Sequence, residues 1–494
     1  MNCNWLFTLV LGLLWICPTQ AQVSVLKSPA ATSAAINLPP IWPGLTPTTS
    51  LTETLNHVFD SVTALSPVKG FNAAMLMPDG AIWKRAVGVA TETPAVVALT
   101  TDHLMGMGSI TKSFVAATVL LLHEEGALDI DDSIGQYIGP YPNVPPNTTI
   151  RQLLNHRSGI SDYINENPAM VDAVLVDLDS VWSAGSVLNA YVLPPNFPTD
   201  ESWSYSNTNY LLAGEVITAV TSQPWYAVVR SRVLEPLGLT HTFAYPWETS
   251  GEQPFSHVFV DVLGDAQLED WQGIGLGDGA LFSVAGSAGC LITTPEDLVA
   301  FSERLYGGHL LAPETLAAMQ VDYVGNPASG LFYGLGALSF PIAGGLENWG
   351  HDGDLLYKSV ALYFPTENMA LAVQQNDERI YDPEAETPVV DLYLLYGALL
   401  DAYLSYLPTA VADVSDAASP LQAYPNPGDA NLHLTLPDDG RIAYPVALHI
   451  ADMTGKVMMT HTLRSARETI AVGTLPSGSY WLRAGGYTRM WIKQ

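Results

Sequence analysis

The first informative pattern of apolar and polar residues is helical. In "SITKSFVAATVLLLHEEGAL" apolar side chains occupy nearly every position from Phe114 to Leu122, and Gly126 follows as a stop signal. This pattern predicts a buried helix that begins at or near Ser109. The segment "SWSYSNTNYLLAGEVI" predicts another helix, which begins directly after Tyr205-Ser206-Asn207.

Elsewhere the pattern alternates, which indicates strands. In "NWGHDGDLLYKSVALYFP" an alternating run follows directly after His351-Asp352-Gly353. From residue 423 onward, short alternating stretches such as "VALHIADMTGKVMM" and "GSYWLRA" are separated by Pro-Asn-Pro, Asp-Asp-Gly and Pro-Ser-Gly. We therefore predict a mixed α/β domain over 51–405 and a small all-β module, folded as a β-sandwich, over 423–494.

The remaining segments lack either pattern. The apolar stretch from Trp5 to Cys17 is too short to span a bilayer and is followed by a small-x-small site, so residues 1–21 are predicted to be a secretory signal peptide. Residues 22–50 and 406–422 are rich in Ser, Thr, Ala and Pro and are predicted to be an arm and a linker. No later segment is expected to cross a membrane.

Composition narrows the class of protein. The chain has 494 residues, of which 48% are hydrophobic, and a net charge of −30. This acidity argues against nucleic-acid binding and favours solubility. Removal of a signal peptide would leave Cys290 as the last of the three cysteines, which excludes an intramolecular disulfide. We predict that Cys290 is a buried small apolar residue.

Candidate chemistry centres on Ser109 and Lys112. A serine hydroxyl needs a base to act as a nucleophile. Residues three apart share a helix face, so Lys112 would stand beside Ser109. Desolvation lowers the pKa of a buried lysine, which could then accept the hydroxyl proton. The helix N-terminus would also favour a developing oxyanion.

Taken alone, this Ser-x-x-Lys tetrad is a weak signal. It occurs twice more, at Ser24 and Ser66, where no helix follows. Ser109 could also be a simple helix cap and Lys112 a surface residue. The chain contains no His-Glu-x-x-His, Cys-x-x-Cys or Gly-x-Ser-x-Gly motif, so neither a common zinc site nor an α/β-hydrolase nucleophile is indicated. We predict no metal and no cofactor.

Three motifs in order give a more specific signal. Ser-x-x-Lys at Ser109, Tyr-x-Asn at Tyr205 and His-x-Gly at His351 each stand in a matching helix or strand context. Over about residues 50–400 the chain resembles the serine β-lactamase and penicillin-binding superfamily, in its class C β-lactamase, D-alanyl-D-alanine carboxypeptidase and esterase branch. Framework stretches such as "TIRQLLNHRSGISDY" and "SAGCLITTPEDLVAF" support the resemblance. It implies an antiparallel sheet flanked by helices, with a helical subdomain.

The resemblance also implies roles for single residues. Ser109 would attack the substrate carbonyl and form an acyl-enzyme. Lys112 and Tyr205 would share the general-base and general-acid work. Asn207 would form hydrogen bonds both to the acyl part of the substrate and to Lys112. His156 and Ser158 are expected to be structural.

Other implied roles concern binding and charge stabilisation. His351 and Gly353 would bind or orient the substrate, and His351 would help to orient Tyr205. The oxyanion hole would be formed by the backbone N–H groups of Ser109 and Asp354, the latter on a strand that follows the motif.

This chain departs from true class C β-lactamases at the third motif. His351 replaces the lysine of Lys-Thr-Gly, and Asp352 and Asp354 flank Gly353. Such a carboxylate about 6 Å from a substrate carboxylate would cost roughly 3 kcal/mol at an effective dielectric of 20. We therefore expect weak β-lactamase activity at best, and neutral esters or amine-bearing peptides as substrates. Two alternatives stay open, a D-alanyl-D-alanine carboxypeptidase or penicillin-binding protein, and a non-catalytic binding pseudoenzyme.

The C-terminal module resembles the sorting domain of type IX secretion substrates. The resemblance depends on "YPNPGDANLHLTL", "ADMTGKV", "LPSGSYWLRA" and the basic end "TRMWIKQ". It implies that the type IX secretion machinery is a partner and that the protein is secreted or held at the cell surface. An accessory β-sandwich that binds polysaccharide is the alternative.

Overall fold

The computed structural model describes residues 50–263, 267–321, 323–324, 332–340, 342, 346–379, 390–406, 422–424, 431–436, 445–452, 457–476, 478–484 and 487–493. The predicted signal peptide, residues 22–49 of the predicted arm and residues 407–421 of the predicted linker lie outside the described residues. The descriptions below concern the described residues alone.

Helices occur only in the part of the described chain before residue 407. They are α1 Leu51–Thr63, α2 Thr111–Glu124, α3 Ile150–Leu154, α4 Pro168–Val176, α5 Ala184–Ala190, α6 Asn207–Thr221, α7 Trp225–Val229, α8 Gly279–Ala285, α9 Pro295–Tyr306, α10 Pro313–Met319 and α11 Leu392–Tyr406. Short 3₁₀ turns lie at Gly108–Ile110, Ile134–Gln136 and Gly286–Ala288, and a π turn lies at Arg230–Leu234.

Strands occur in both parts of the chain. The first part contains β1 Gly70–Leu76, β2 Ile82–Thr91, β3 Val97–Ala98, β4 Met105–Gly106, β5 Phe243–Ala244, β6 Phe259–Val260, β7 Glu269–Asp270, β8 Leu291–Thr293, β9 Phe332–Tyr333, β10 Leu338–Ser339, β11 Trp349–Leu355, β12 Tyr357–Phe364 and β13 Met369–Gln375. The last part contains β14 Gln422–Tyr424, β15 Asn431–Thr435, β16 Val446–Asp452, β17 Val457–Leu463, β18 Arg467–Ala471, β19 Gly478–Ala484 and β20 Tyr487–Lys493.

The main domain is an antiparallel sheet between two layers of helices. Its eight strands follow the order β3-β2-β1-β13-β12-β11-β10-β9. On one face α1 and α11 cover a core that includes Phe59, Val360 and Leu395. On the other face α2, α6 and α9 share a larger core that includes Phe114 and Ala361. This architecture confirms the predicted fold class.

The predicted helix at Ser109 begins with a 3₁₀ turn and continues as α2. Nearly all of α2 is buried because its residues are apolar on every side, from Phe114 to Leu122. Its end lies at Glu124, and Gly126 follows with a φ of 71°, a conformation that glycine adopts at little cost. The second predicted helix, α6, begins at Asn207, one residue earlier than the sequence predicted.

The third motif differs from the sequence-based expectation in its placement. His351-Asp352-Gly353 does not precede a strand but lies inside β11, and Asp354 belongs to the same strand. The run that follows is β12, whose residues are all buried and do not alternate in exposure. Helices cover both faces of this central strand, which removes the alternation that a half-exposed strand would show.

The last part of the chain forms the predicted β module. A three-stranded sheet has the order β14-β15-β18, and a four-stranded sheet has the order β17-β16-β19-β20. Both sheets contribute to one apolar core, which includes Leu432, Leu448, Ile470 and Trp491. The two sheets therefore form the predicted sandwich. None of the helices described is long and apolar enough to cross a membrane.

Candidate active site

The structure places the two residues of the first motif in direct contact. Lys112 Nζ lies 2.9 Å from Ser109 Oγ. Ser109 stands in the 3₁₀ turn that leads into α2, and Lys112 is in the first turn of that helix. The Lys112 side chain is fully buried, with 0% exposure. A bridge between a serine hydroxyl and a buried lysine amine is the arrangement that base-assisted nucleophilic attack requires.

Two further oxygens hold the side-chain nitrogen of Lys112. Its Nζ donates to Asn207 Oδ1 at 2.8 Å and to the carbonyl oxygen of Ala288 at 2.7 Å. Asn207 is the first residue of α6, and Ala288 closes a 3₁₀ turn that follows α8. The sequence predicted the contact with Asn207. The contact with the Ala288 carbonyl was not predicted, because every residue has a backbone carbonyl and the sequence does not indicate which one accepts.

Two glycines allow β11 to approach the Ser109 turn. A Cβ on Gly353 would lie 1.9 Å from the Met107 carbonyl oxygen and 3.0 Å from the Ser109 nitrogen. A Cβ on Gly108, whose φ is 52°, would lie 2.6 Å from the Asp354 nitrogen. Only residues without a side chain fit at these two positions. The backbone segments that carry the Ser109 and Asp354 amides consequently lie against each other.

Tyr205 stands beside Lys112 and against an imidazole. Lys112 Nζ lies 4.9 Å from the centroid of the Tyr205 ring. The buried ring of His156 packs on the Tyr205 ring, with ring centroids 4.3 Å apart. The His351 ring lies farther away, 6.5 Å between centroids. Of the two imidazoles, His156 therefore packs more closely on Tyr205, although the sequence suggested it only as a framework residue.

A directed chain of hydrogen bonds connects His156 with His351 through Tyr333. His156 Nδ1 accepts from the Ser206 backbone N–H at 3.1 Å, so in the neutral ring Nε2 carries the proton and donates to Tyr333 Oη, also at 3.1 Å. His351 Nδ1 donates to the Asp352 carbonyl oxygen at 2.6 Å, which leaves Nε2 as an acceptor. The Tyr333 hydroxyl, 3.3 Å away, donates to that nitrogen.

Burial keeps both imidazoles of this chain neutral. Burial, and after it the nearby Lys112 ammonium, lower the pKa of His351 to about 3. The same two causes, in the same order, hold the pKa of His156 well below its usual value. Burial also holds the pKa of the Tyr333 phenol well above its usual value. Near neutral pH the side chains of His156, Tyr333 and His351 are therefore uncharged. Both ring nitrogens of His351 form hydrogen bonds inside the protein.

Asp352 and Asp354 do not face Ser109. Side chains alternate along β11, and Gly353 is the residue turned toward the Ser109 turn. On the opposite face Asp352 Oδ2 accepts from Tyr393 of α11 at 3.0 Å, and Asp354 forms an ion pair of 2.7 Å with Lys358. The expected repulsion of an anionic substrate by these two carboxylates therefore has no support in the geometry.

Sequence reasoning missed one carboxylate of the site. Asp162 is buried and accepts from the backbone N–H and the side-chain amide of Asn207 at 3.0 and 2.8 Å. It lies in the framework stretch "SGISD", which gave no chemical signal by itself. Cys290, in contrast, is fully buried as predicted, and burial holds the pKa of its thiol well above the usual value.

Comparison with protein families identifies the main domain. The Beta-lactamase family model matches residues 70–394. The chain belongs to the β-lactamase family. Among its relatives, penicillin-binding protein 4* of Bacillus subtilis (strain 168) is 28% identical over 205 residues, which is 41% of this chain and 44% of that protein. The match thus spans less than half of this relative.

Solved structures of two other enzymes resemble the domain. A D-stereospecific amidohydrolase from a Streptomyces species is 29% identical with a TM-score of 0.56, over 66% of this chain and 94% of that chain. The D-amino acid amidase from Ochrobactrum anthropi SV3, in complex with L-phenylalanine amide, is 26% identical with a TM-score of 0.61, over 72% of this chain and 99% of that chain. These comparisons agree with the predicted family and fold.

The last residues match a second family model. The secretion system C-terminal sorting domain covers residues 422–494, the part that forms the two-sheet module. This β-lactamase-family protein thus carries a type IX sorting domain, and it is secreted or located at the cell surface.

Proposed function

We propose that this protein is a secreted serine hydrolase in which Ser109 forms an acyl-enzyme with an ester or amide substrate. The observation that carries the proposal is the 2.9 Å contact between Ser109 Oγ and the fully buried amine of Lys112. A buried lysine loses its proton more readily than an exposed one, so it can act as a base at moderate pH.

In acylation, the neutral Lys112 amine takes the proton of Ser109 Oγ while this oxygen bonds to the substrate carbonyl carbon. The carbonyl oxygen becomes negative and accepts hydrogen bonds from the backbone N–H groups of Ser109 and Asp354. The proton on Lys112 passes through the Tyr205 hydroxyl to the leaving nitrogen or oxygen, and the bond from the carbonyl carbon to that atom breaks. Lys112 Nζ lies 4.9 Å from the centroid of the Tyr205 ring, so the phenol that this path requires stands beside the amine.

In deacylation the same groups act on water. Tyr205, together with Lys112, removes a proton from a water molecule as the water oxygen bonds to the ester carbonyl carbon. The bond from that carbon to Ser109 Oγ then breaks, and Ser109 regains its proton. Asn207 Oδ1 accepts from Lys112 Nζ at 2.8 Å. This hydrogen bond keeps the Lys112 amine beside the hydroxyl oxygens of Ser109 and Tyr205 throughout the cycle.

The substrate class that we favour is a neutral ester or amide, including D-amino acid amides. His351 stands where class C β-lactamases carry a lysine, and both its nitrogens are engaged by Tyr333 and the Asp352 carbonyl. It therefore offers neither a positive charge nor a free N–H to a substrate carboxylate. The similarity to two D-specific amide-hydrolysing enzymes supports the amide alternative.

A substrate comparison tests this proposal. Purified protein is assayed with p-nitrophenyl acetate, D-phenylalanine amide, L-phenylalanine amide, D-alanyl-D-alanine and benzylpenicillin. We expect turnover of the ester and the D-amide, and little reaction with the two carboxylate-bearing compounds. The proposal is wrong in its substrate class if the dipeptide or the penicillin reacts fastest, and that result would favour the carboxypeptidase alternative.

Ser109→Ala serves as the matched control for every substrate. All turnover assigned to the site should disappear in this variant, because no other group replaces the nucleophile. If wild type and Ser109→Ala are equally inactive in all five assays, the pseudoenzyme alternative gains support.

A further inference from the structure

Asp162 is a buried carboxylate that receives five hydrogen bonds. Its Oδ1 accepts from the backbone N–H groups of Ile164 and Asn165 at 3.0 and 3.2 Å. Its Oδ2 accepts from the Asn165 side-chain amide at 2.9 Å and from the backbone and side-chain nitrogens of Asn207 at 3.0 and 2.8 Å. With 1% exposure and five hydrogen bonds from nitrogen donors, this carboxylate is held in a single orientation.

Asp162 also replaces a missing helix cap. The residue at the N-cap position of α6, Ser206, makes no side-chain hydrogen bond to the start of the helix. The first free backbone N–H of α6 belongs to Asn207, and it donates to Asp162 from a distant segment of the chain. A carboxylate at a helix N-terminus is favourable because it satisfies an unpaired donor and faces the positive end of the helix dipole.

The same carboxylate decides which way the Asn207 amide faces. A carboxylate accepts hydrogen bonds and cannot donate them, so the end of the amide against Asp162 must be the NH₂ group. The oxygen of the amide is therefore turned toward Lys112, where it accepts from Nζ at 2.8 Å. The opposite orientation would place an NH₂ group against the Lys112 amine and its protons.

We propose that Asp162 is a positioning residue, which fixes the Asn207 amide with its oxygen toward Lys112 and places a negative charge one amide away from that base. The inference rests on the proposed function, because it assigns to Asp162 an effect on the base of that reaction. Among the residues that the structure describes, the other titratable groups around the Lys112 side chain include Tyr205, Tyr210, His156, His351 and Asp352. Substitution of Asp162 leaves all of them in place.

The reaction of the full-length protein with a fluorescent fluorophosphonate tests the proposal. In this reaction Ser109 Oγ bonds to phosphorus, fluoride leaves, and the Ser109 proton goes to Lys112. The second-order rate is measured from pH 4 to pH 10 for wild type and Asp162→Asn. In Asp162→Asn we expect a rate at least 10-fold lower at pH 7, because the Asn207 amide is no longer held in one orientation.

The pH profile separates positioning from general damage. Loss of a nearby negative charge disfavours the Lys112 ammonium, so its proton is lost at lower pH. The acid limb of the profile should consequently move to lower pH by about one unit in Asp162→Asn. Asp162→Glu retains the charge and should keep the acid limb near its wild-type position. An unshifted limb in Asp162→Asn would overturn the proposal.

Asp270 provides the matched control. It is also buried, at 4% exposure, and accepts from the backbone N–H groups of Glu92, Thr93 and Gly273 and from His257. Asp270→Asn therefore removes a comparable carboxylate that has no hydrogen bond to the site residues. We expect lower thermal stability but an unshifted acid limb. A shift equal to that of Asp162→Asn would also overturn the proposal.

A charge exchange keeps the test decisive if Asp162→Asn does not fold. In the double variant Asp162→Asn/Asn207→Asp, the amide at 162 can donate to the carboxylate at 207, which in turn accepts from Lys112. This variant should fold better than Asp162→Asn, and its acid limb should lie at higher pH than that of wild type. A double variant that folds no better than the single variant would contradict the proposed pairing.

Failure of the proposed function gives a different result. A wild-type protein that does not react with the fluorophosphonate at any pH would contradict the assignment of Ser109 as nucleophile, whatever the behaviour of the Asp162 variants. A reactive wild type with an unchanged profile in Asp162→Asn would reject the role of Asp162 alone.

Discussion

The Tyr333 hydroxyl lies 3.3 Å from Nε2 of His351 and donates a hydrogen bond to it. Because the other ring nitrogen of His351 donates to the Asp352 carbonyl oxygen, the ring is neutral and its hydrogen-bonding capacity is used inside the protein. The residue at the family's third motif thereby becomes part of the wall of the site. This relationship gives the first prediction.

Tyr333→Phe should destabilise the protein and slow its reaction. The substitution removes a hydroxyl that accepts from His156 and donates to His351, so two buried imidazole nitrogens lose a partner. We expect the free energy of unfolding to fall by about 1–3 kcal/mol. We also expect the rate with p-nitrophenyl acetate to fall at least about 10-fold, since the His156 ring supports Tyr205. Urea denaturation and steady-state kinetics measure the two effects.

Tyr396→Phe is the matched control for Tyr333→Phe. Tyr396 is equally buried, but its hydroxyl has no hydrogen-bond partner among the residues that the structure describes. Its removal should leave stability unchanged or raise it by up to about 1 kcal/mol, with no effect on rate. Equal losses in the two variants would contradict a specific role for the Tyr333 hydroxyl.

Lys112→Arg should abolish most of the activity although the positive charge is kept. A guanidinium does not give up its proton at any pH at which the protein is folded, so it cannot act as the base. We expect the acylation rate to fall about 10³-fold, within the range of general-base effects. Lys358→Arg is the control, because Lys358 is also largely buried but pairs with Asp354. Stopped-flow acylation rates should separate the two, and comparable losses would contradict the assignment.

Gly353→Ala should separate β11 from the Ser109 turn. The new methyl group would lie 1.9 Å from the Met107 carbonyl oxygen, which neither backbone segment can accommodate without moving. The Asp354 amide would then leave its place beside Ser109, and loss of one oxyanion donor costs about 10²-fold in rate or more.

Gly397→Ala controls for the loss of a glycine. Gly397 lies in α11, and a Cβ there meets nothing within 4 Å. Alanine at this position should raise the free energy of unfolding by up to about 1 kcal/mol and leave the reaction rate unchanged. A Gly353→Ala variant with wild-type kinetics would show that the amide of Asp354 does not serve as an oxyanion donor.

Asp352→Asn should become more stable relative to wild type as the pH rises. Burial raises the pKa of the Asp352 carboxyl to about 6 in the folded state, from 3.8 in the unfolded chain. The folded protein therefore binds this proton more tightly, and wild type loses stability as the pH rises from about 4 through 6. The variant does not titrate there, so it should gain about 2 kcal/mol over wild type between pH 4 and pH 8.

Urea denaturation of both proteins at a series of pH values measures this difference. The opposite trend is expected for His351, whose lowered pKa makes wild type lose stability as the pH falls below 6.5. That contribution is common to both proteins and cancels in the comparison. Parallel stability curves for Asp352→Asn and wild type would contradict the prediction.

The sequence predicted those parts of the site that have a local signature. Ser109 and Lys112 are three residues apart on one helix, so their contact follows from helix geometry. Asn207 was placed at the start of α6 by the apolar pattern that follows it. The fold class and the terminal β module followed from periodicity together with the family resemblance.

The remaining parts of the site depend on contacts between distant segments. His156 and Tyr333 are 177 positions apart, and no periodic pattern relates two such residues. The orientation of Asp352 away from Ser109 depends on the placement of the motif inside β11, whereas the sequence placed the motif before the strand. Tertiary packing decides these features, so they could be found only in the folded chain.

The most direct test of the account is the mass of the intact protein after reaction with a fluorophosphonate. We predict that wild type gains one phosphonyl group, located on the peptide that contains Ser109, and that Ser109→Ala gains none. A label on Ser109→Ala equal to that on wild type, or none on a folded wild type, would contradict the central claim that Ser109 is the nucleophile.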